Sequence, residues 1–198
     1  MYIIGITGGV GAGKSTIVKY VEEHYDAYIT KADDVGHILM RDDKQIQQAI
    51  VDLLGSDILD KDVLDRKKIA QKVYADKALL DKLNAIIHPA VKQYIKSEIK
   101  QQRFAERKYF LIEAALLIED DYGQICDEMW YVYASKETRL KRLKESRAYS
   151  DEKVRQIMSN QLSEEEFEDN CAFTLNNDDK FDEVIKQIEL RMQKYENV

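Results

Sequence analysis

The sequence predicts an α/β fold of three αβα layers around a parallel sheet. Three observations carry that prediction: short apolar runs alternate with helical periodicity, a glycine-rich turn joins the first run to the first helix, and no repeat or Pro/Gly/Ser-rich linker divides the chain. Tyr2 to Ile6 (YIIGI) is the first run, and Ile17, Val18 and Val21 at helical spacing mark a helix from Lys14 to His24. Ala27 to Thr30, Tyr109 to Ile118, Met129 to Ala134 and Ala172 to Leu175 read as further strands, apolar in the manner of a sheet covered on both faces. The last of them precedes a helix with Phe181, Val184, Ile185, Ile188, Met192 and Tyr195 on one side.

Between Gln45 and Glu106 the strand signal disappears. Leu79, Leu80, Leu83, Ile86 and Ile87 follow a helical period, and Val91, Ile95 and Ile99 continue it after Pro89, a residue suited to the first turn of a new helix. This block, residues 45–106, is read as a helical subdomain inserted into a single domain spanning residues 1–198.

Composition narrows the function classes. With 30 basic against 37 acidic residues the net charge is −7, which argues against general binding of nucleic acid or anionic membranes. No apolar run approaches the roughly 18 residues of a membrane span, and MYIIGITGG has neither the basic start nor the long apolar stretch of a leader, so a soluble, cytoplasmic protein is expected. The 2 cysteines, Cys126 and Cys171, form no CxxC pair and read as ordinary thiols, and the 3 histidines show no metal-ligand spacing.

Of 8 glycines, Gly5, Gly8, Gly9, Gly11 and Gly13 crowd the beginning of the chain. Gly8-Gly9-Val10-Gly11-Ala12-Gly13-Lys14-Ser15 satisfies G-x-x-x-x-G-K-[ST], in the required position between strand and helix. Such a loop turns main-chain N–H groups inward as an anion-binding nest, the helix adds its positive end, the lysine reaches the β/γ-phosphates, and the serine hydroxyl serves Mg²⁺. Gly9 and Gly11 are expected to loosen the loop, and Gly5 to permit close packing in the strand. The motif points to a nucleoside triphosphate without naming the acceptor.

Three further features surround it. Asp33, after the second run, is a candidate proton acceptor at the carboxyl edge of the sheet or, equally, an N-cap for a helix from Asp34 to Met40. Glu113 ends YFLIE as a Walker-B carboxylate does, acting on Mg²⁺, or else is a solvated acid at a strand end. Arg139, Lys141, Arg142, Lys144 and Arg147 form a basic run that is either a solvated helix face or a lid over the phosphates, and a capping box at Ser163 and Glu166 falls in the segment after it, giving a lid region of residues 139–168. His88, before Pro89, suits a structural or substrate contact better than base catalysis.

Taken in order, GITGGVGAGKST, KADDVGHIL, LNAIIHPAV, EAALLIE and SKETRLKRLKESR followed by IMSNQ resemble the dephospho-CoA kinase family over nearly the whole chain. The resemblance implies a P-loop kinase fold with a five-stranded parallel core, an inserted CoA-binding domain and a lid. It implies transfer of the ATP γ-phosphate, with Mg²⁺, to the 3'-hydroxyl of dephospho-CoA. Carried over by position, Gly11, Ala12, Gly13, Lys14, Ser15 and Thr16 would hold ATP together with Arg142 and Arg147, with Gly9 of the same loop beside them. Asp33 would be the catalytic base, aided by Lys14 and Arg142, with His88 at the substrate and Ser15 and Glu113 at the metal. Two positions depart from the family pattern: Lys31 replaces the first aspartate of D-A-D, and Ala115 replaces the proline of P-L-L-x-E. Another small P-loop kinase acting on a nucleoside or nucleoside monophosphate is the alternative. A nucleotide-controlled switch would carry N-K-x-D and a D-x-x-G string, and the first is absent.

Overall fold

The computed structural model describes residues 1–74, 76–147, 151–178 and 180–196, with only the main chain at 146, 147, 151, 153 and 156. Strand β1 (Tyr2–Thr7) leads through the glycine turn into helix α1 (Lys14–His24) and then β2 (Ala27–Lys31). Helices α2 (Ala32–Asp42) and α3 (Lys44–Leu54), a hairpin of β3 (Leu59–Asp60) and β4 (Val63–Leu64), and helices α4 (Arg66–Tyr74) and α5 (Lys77–Phe104) follow. The chain continues through β5 (Tyr109–Glu113), β6 (Glu128–Tyr133), α6 (Lys136–Arg147), α7 (Asp151–Ser159), α8 (Glu164–Asn170), β7 (Phe173–Asn176) and α9 (Phe181–Glu196).

The five long strands form one parallel sheet in the order β2-β5-β1-β6-β7, as the apolar runs and the resemblance lead one to expect. Parallel neighbours require crossovers, and the helices supply them. β1 is central, with Ile4 beside Leu111 of β5 and Ile6 beside Trp130 of β6. Because its neighbours come from later in the chain on both sides, the order reverses at β1, and a crevice opens beyond its carboxyl end where the glycine loop begins. Ile4, Ile6, Ile17, Val21, Leu111, Trp130, Val132, Val184, Ile188 and Met192 form the core around this sheet.

Chain contacts divide the protein into two compact units, Met1–Ile29 with Gln102–Val198, and Thr30–Gln101. The second has its own apolar cluster of Ile50, Leu54, Ile58, Ile69 and Leu83. Within it α2 packs on α5, where Gly36 lies close to Ile87 and Val91.

Three elements differ from the sequence expectation. Pro89 does not start a helix: α5 runs through it for 28 residues. A proline inside a helix costs about 3 kcal/mol, and the buried Leu83, Val91, Ile95 and Ile99 on either side offset that cost. The third apolar run stops being strand at Glu113, and Leu117 reaches the core from the loop beyond it. The β3–β4 hairpin, two residues a side, left no periodic trace. Among the described residues no helix is long and apolar enough to cross a membrane.

Candidate active site

The loop between β1 and α1 takes its shape from backbone that only glycine adopts freely. Gly8, Gly11 and Gly13 have φ of 142°, 81° and 94°, and Gly13 is the N-cap of α1. Lys14, the first residue of α1, curls back so that Nζ donates to the carbonyls of Gly8 at 2.7 Å and Gly9 at 3.3 Å. The Thr16 N–H returns to the Gly13 carbonyl at 3.0 Å, closing the first helical turn.

The glycines also make room for neighbours. A Cβ at Gly8 would run into the Val132 carbonyl of β6, one at Gly9 into the Arg139 guanidinium, and one at Gly13 into the Asn177 amide. The missing side chains of Gly9 and Gly11 let α6 pack onto the loop, Gly11 against Leu143; Gly9 has no positive φ and serves this packing, while Gly11 at φ 81° also uses the conformational freedom expected of it. Gly5 behaves as expected, close to Cys126, Leu117 and Met129.

Helix α6 is tied to the loop by two arginines. Arg139, only 7% exposed, donates Nε–H to the Val10 carbonyl at 2.9 Å and Nη2–H to Gln161 Oε1 at 2.5 Å; Gln161 in turn accepts from the Val10 N–H at 3.2 Å. Burial pulls the Arg139 guanidinium below its ordinary pKa, far above neutrality in any case. Arg142 donates to the Ala12 carbonyl at 3.2 Å and to the Asn177 carbonyl at 2.7 Å, while the Asn177 amide reaches the same Ala12 carbonyl at 2.6 Å. These bonds go to neutral oxygens; Glu164 acts on Arg139 and Asp178 on Arg142 through the field. The solvated-face reading of the basic run fails for Arg139 and Arg142. The side chain of Arg147, and Ser150 of the lid region, lie outside the described residues; the Ser163–Glu166 capping box is present at α8.

Glu113 closes β5 opposite Ile6 and is buried, which rules out the solvated-acid reading. The Ser15 hydroxyl donates to its Oε1 at 2.6 Å. A hydroxyl beside a carboxylate is a hard, all-oxygen donor pair that suits Mg²⁺, an ion that completes its shell with water and phosphate oxygens. Clusters of three or more His, Cys, Asp or Glu side chains able to hold a metal alone do not occur among the described residues.

Asp33 and His88 belong to the second unit. Asp33 is not a cap: α2 begins at Ala32 with Lys31 as its N-cap, so Asp33 lies inside the first turn, with an exposed side chain. His88 is half-buried on α5. D-x-x-G does occur, at Asp33–Gly36, Asp52–Gly55 and Asp120–Gly123, but the first is helical in α2 and the second closes α3, neither being a switch loop.

Three residues bonded to the loop are not singled out by the sequence. Arg139 was visible only as one charge in a run, and Gln161 only as the end of IMSNQ. Asn177 follows β7 directly, and its signal was position: a polar residue at the carboxyl end of a strand in a parallel sheet.

The family model described as dephospho-CoA kinase matches residues 2–183. The dephospho-CoA kinase of Dehalococcoides mccartyi is 32% identical over 191 residues, covering 96% of each chain. Among solved structures, a Thermus thermophilus protein superposes with a TM-score of 0.82 at 24% identity, covering 98% of this chain and 97% of the other. The dephospho-CoA kinase from Campylobacter jejuni superposes with a TM-score of 0.72 at 20% identity, covering 97% and 96%; both likenesses are of fold. The match of the family model from the first strand into the last helix, together with the relative at 32% identity, places the chain in the dephospho-CoA kinase family.

Proposed function

We propose that this chain is a cytoplasmic enzyme transferring the γ-phosphoryl group of ATP to the 3'-hydroxyl of dephospho-CoA, yielding CoA and ADP in the last step of coenzyme A biosynthesis. The observation that carries the reading is the loop Gly8–Ser15, shaped by β6, α6 and Asn177, with Ser15 bonded to Glu113. The nest of loop N–H groups binds the phosphates, and Lys14, held over Gly8 and Gly9, swings onto the β/γ oxygens. Ser15 and Glu113 would hold Mg²⁺, which supplies charge neutralisation on the phosphate oxygens when bound. Arg142 stabilises the transferring group, and Gly9 to Thr16 with Arg147 hold the nucleotide. Asp33 takes the acceptor proton, and His88 contacts the acceptor.

Phosphoryl transfer asks the protein for position and charge rather than covalent chemistry, so one base and one metal beside the loop would suffice. The test is an acceptor assay with MgATP, dephospho-CoA beside a panel of nucleosides and nucleoside monophosphates. Conversion of dephospho-CoA alone is expected. Turnover of a nucleoside with none of dephospho-CoA would overturn the reading, and ATP binding without transfer to any acceptor would restore the switch.

A further inference from the structure

Helix α2 carries Asp33, His37 and Arg41 at four-residue steps, so the three share a face, successive members about 6 Å apart along the axis. Arg66, the first residue of α4, donates Nη2–H to His37 Nε2 at 2.6 Å. A guanidinium only donates, so His37 Nε2 is the acceptor of this bond. Arg41 pairs with Asp42 at 2.7 Å, Lys72 with Asp57 at 2.6 Å, and Lys68 with the Leu59 carbonyl at 2.7 Å. Among the described residues Arg66 has no carboxylate partner, and His37 fixes its orientation without taking its charge. An exposed, oriented guanidinium whose charge is left uncancelled is a fork for phosphate oxygens.

We propose that Arg66, aimed by His37, binds the 5'-phosphoryl group of the acceptor while Asp33, one helical turn away, serves its hydroxyl. The inference rests on the function proposed above. In dephospho-CoA the ribose bearing the 3'-hydroxyl carries the pyrophosphate on its 5'-oxygen, so hydroxyl and anion are held a fixed short span apart, as are Asp33 and the Arg66–His37 pair. Arg66 is thus a binding residue that selects phosphorylated acceptors, and His37 is a positioning residue.

Steady-state kinetics of the full chain test this. Arg66→Gln should raise KM for dephospho-CoA about 10- to 100-fold, the loss of a charge-assisted bond, with kcat within about threefold and KM for ATP unchanged. Arg66→Lys should recover only part, because an ammonium lacks the fork. His37→Ala should raise the acceptor KM less than Arg66→Gln does, and His37→Gln should restore it, since an amide oxygen can accept from Arg66. If Arg66→Gln does not fold, Arg66→Lys decides by the same split. An active wild type whose acceptor KM ignores both Arg66 variants overturns this inference alone, as does an equal loss in the ATP and acceptor constants. A wild type inactive on dephospho-CoA overturns the function reading.

Discussion

Replacing Gly9 by alanine tests whether the glycine serves loop freedom or the packing of α6. Gly9 is not among the residues with positive φ, so alanine fits its backbone, and any penalty comes from the Cβ meeting the Arg139 guanidinium. To admit the methyl, Arg139 must give up its bonds to Val10 and Gln161. At about 1.5 to 3 kcal/mol for each bond to a charged group, and with water recovering part of it, the displacement costs about 3 kcal/mol. Arg139→Ala loses the same two bonds and should cost a similar amount. The double variant loses them only once, so it should cost about 3 kcal/mol rather than twice that, a coupling of about 3 kcal/mol. Urea unfolding followed by the fluorescence of Trp130, the 1 tryptophan of the chain and fully buried in β6, reports on the unit that holds the loop. Single-variant costs that add to within about 0.5 kcal/mol in the double would refute the packing argument.

Gly13→Ala combines a φ of 94° with overlap of the Asn177 amide; it should destabilise by about 1 to 3 kcal/mol and weaken ATP binding at least about tenfold, read by nucleotide titration. Lys14→Ala should abolish turnover, and Asp33→Asn should lower kcat far more than ATP affinity; equal, large losses of both in Asp33→Asn would assign that residue to the nucleotide or the metal. Burial pushes both thiols, Cys126 and Cys171, up to about 12 from 9.0. The unfolded chain therefore loses those protons first as pH rises, and binding fewer protons than the native state it is favoured. Their contribution is complete below pH 9 and disappears toward pH 12, so denaturation midpoints should fall across that window. Serine at both positions should flatten that part of the profile, and an unchanged slope would show that the thiols do not contribute to it.

How much was legible follows from the range of each interaction. The sheet and the phosphate loop were readable because β1, β5 and β6 are buried runs and because the loop's chemistry is local in sequence. Asp33 and Glu113 could be named from their places at strand ends and Arg142 from the family resemblance, while the cap reading of Asp33 failed by two residues, since the helix starts at Ala32 with Lys31 as its N-cap. What could not be read depends on tertiary contact. The Ser15–Glu113 bond spans 98 positions, the Val10–Gln161 bond 151 and the Ala12–Asn177 bond 165, and no periodicity records such pairs. Pro89 misled for the same reason, because the burial that carries α5 through it is tertiary.

The same long-range pairs explain how an acidic chain makes room for a polyanion. Overall the charge is −7, yet the loop is held by Arg139 and Arg142 through carbonyl and amide oxygens of Val10, Gln161, Ala12 and Asn177. Carboxylates in those places would hold the helix equally well and cancel the field. Carbonyl and amide acceptors instead hold one buried and one half-buried guanidinium group against the loop through bonds that carry no negative charge of their own, with Glu164 and Asp178 acting on them only through the field, in surroundings poorer in water than the surface. Each bond also removes freedom from the glycine-rich backbone before any phosphate arrives, so the ordering cost falls on folding and not on binding. Small residues and the arginines of α6 are therefore one device: the missing side chains at Gly9, Gly11 and Gly13 admit α6 and Asn177, and these partners hold the loop in the shape that phosphate requires.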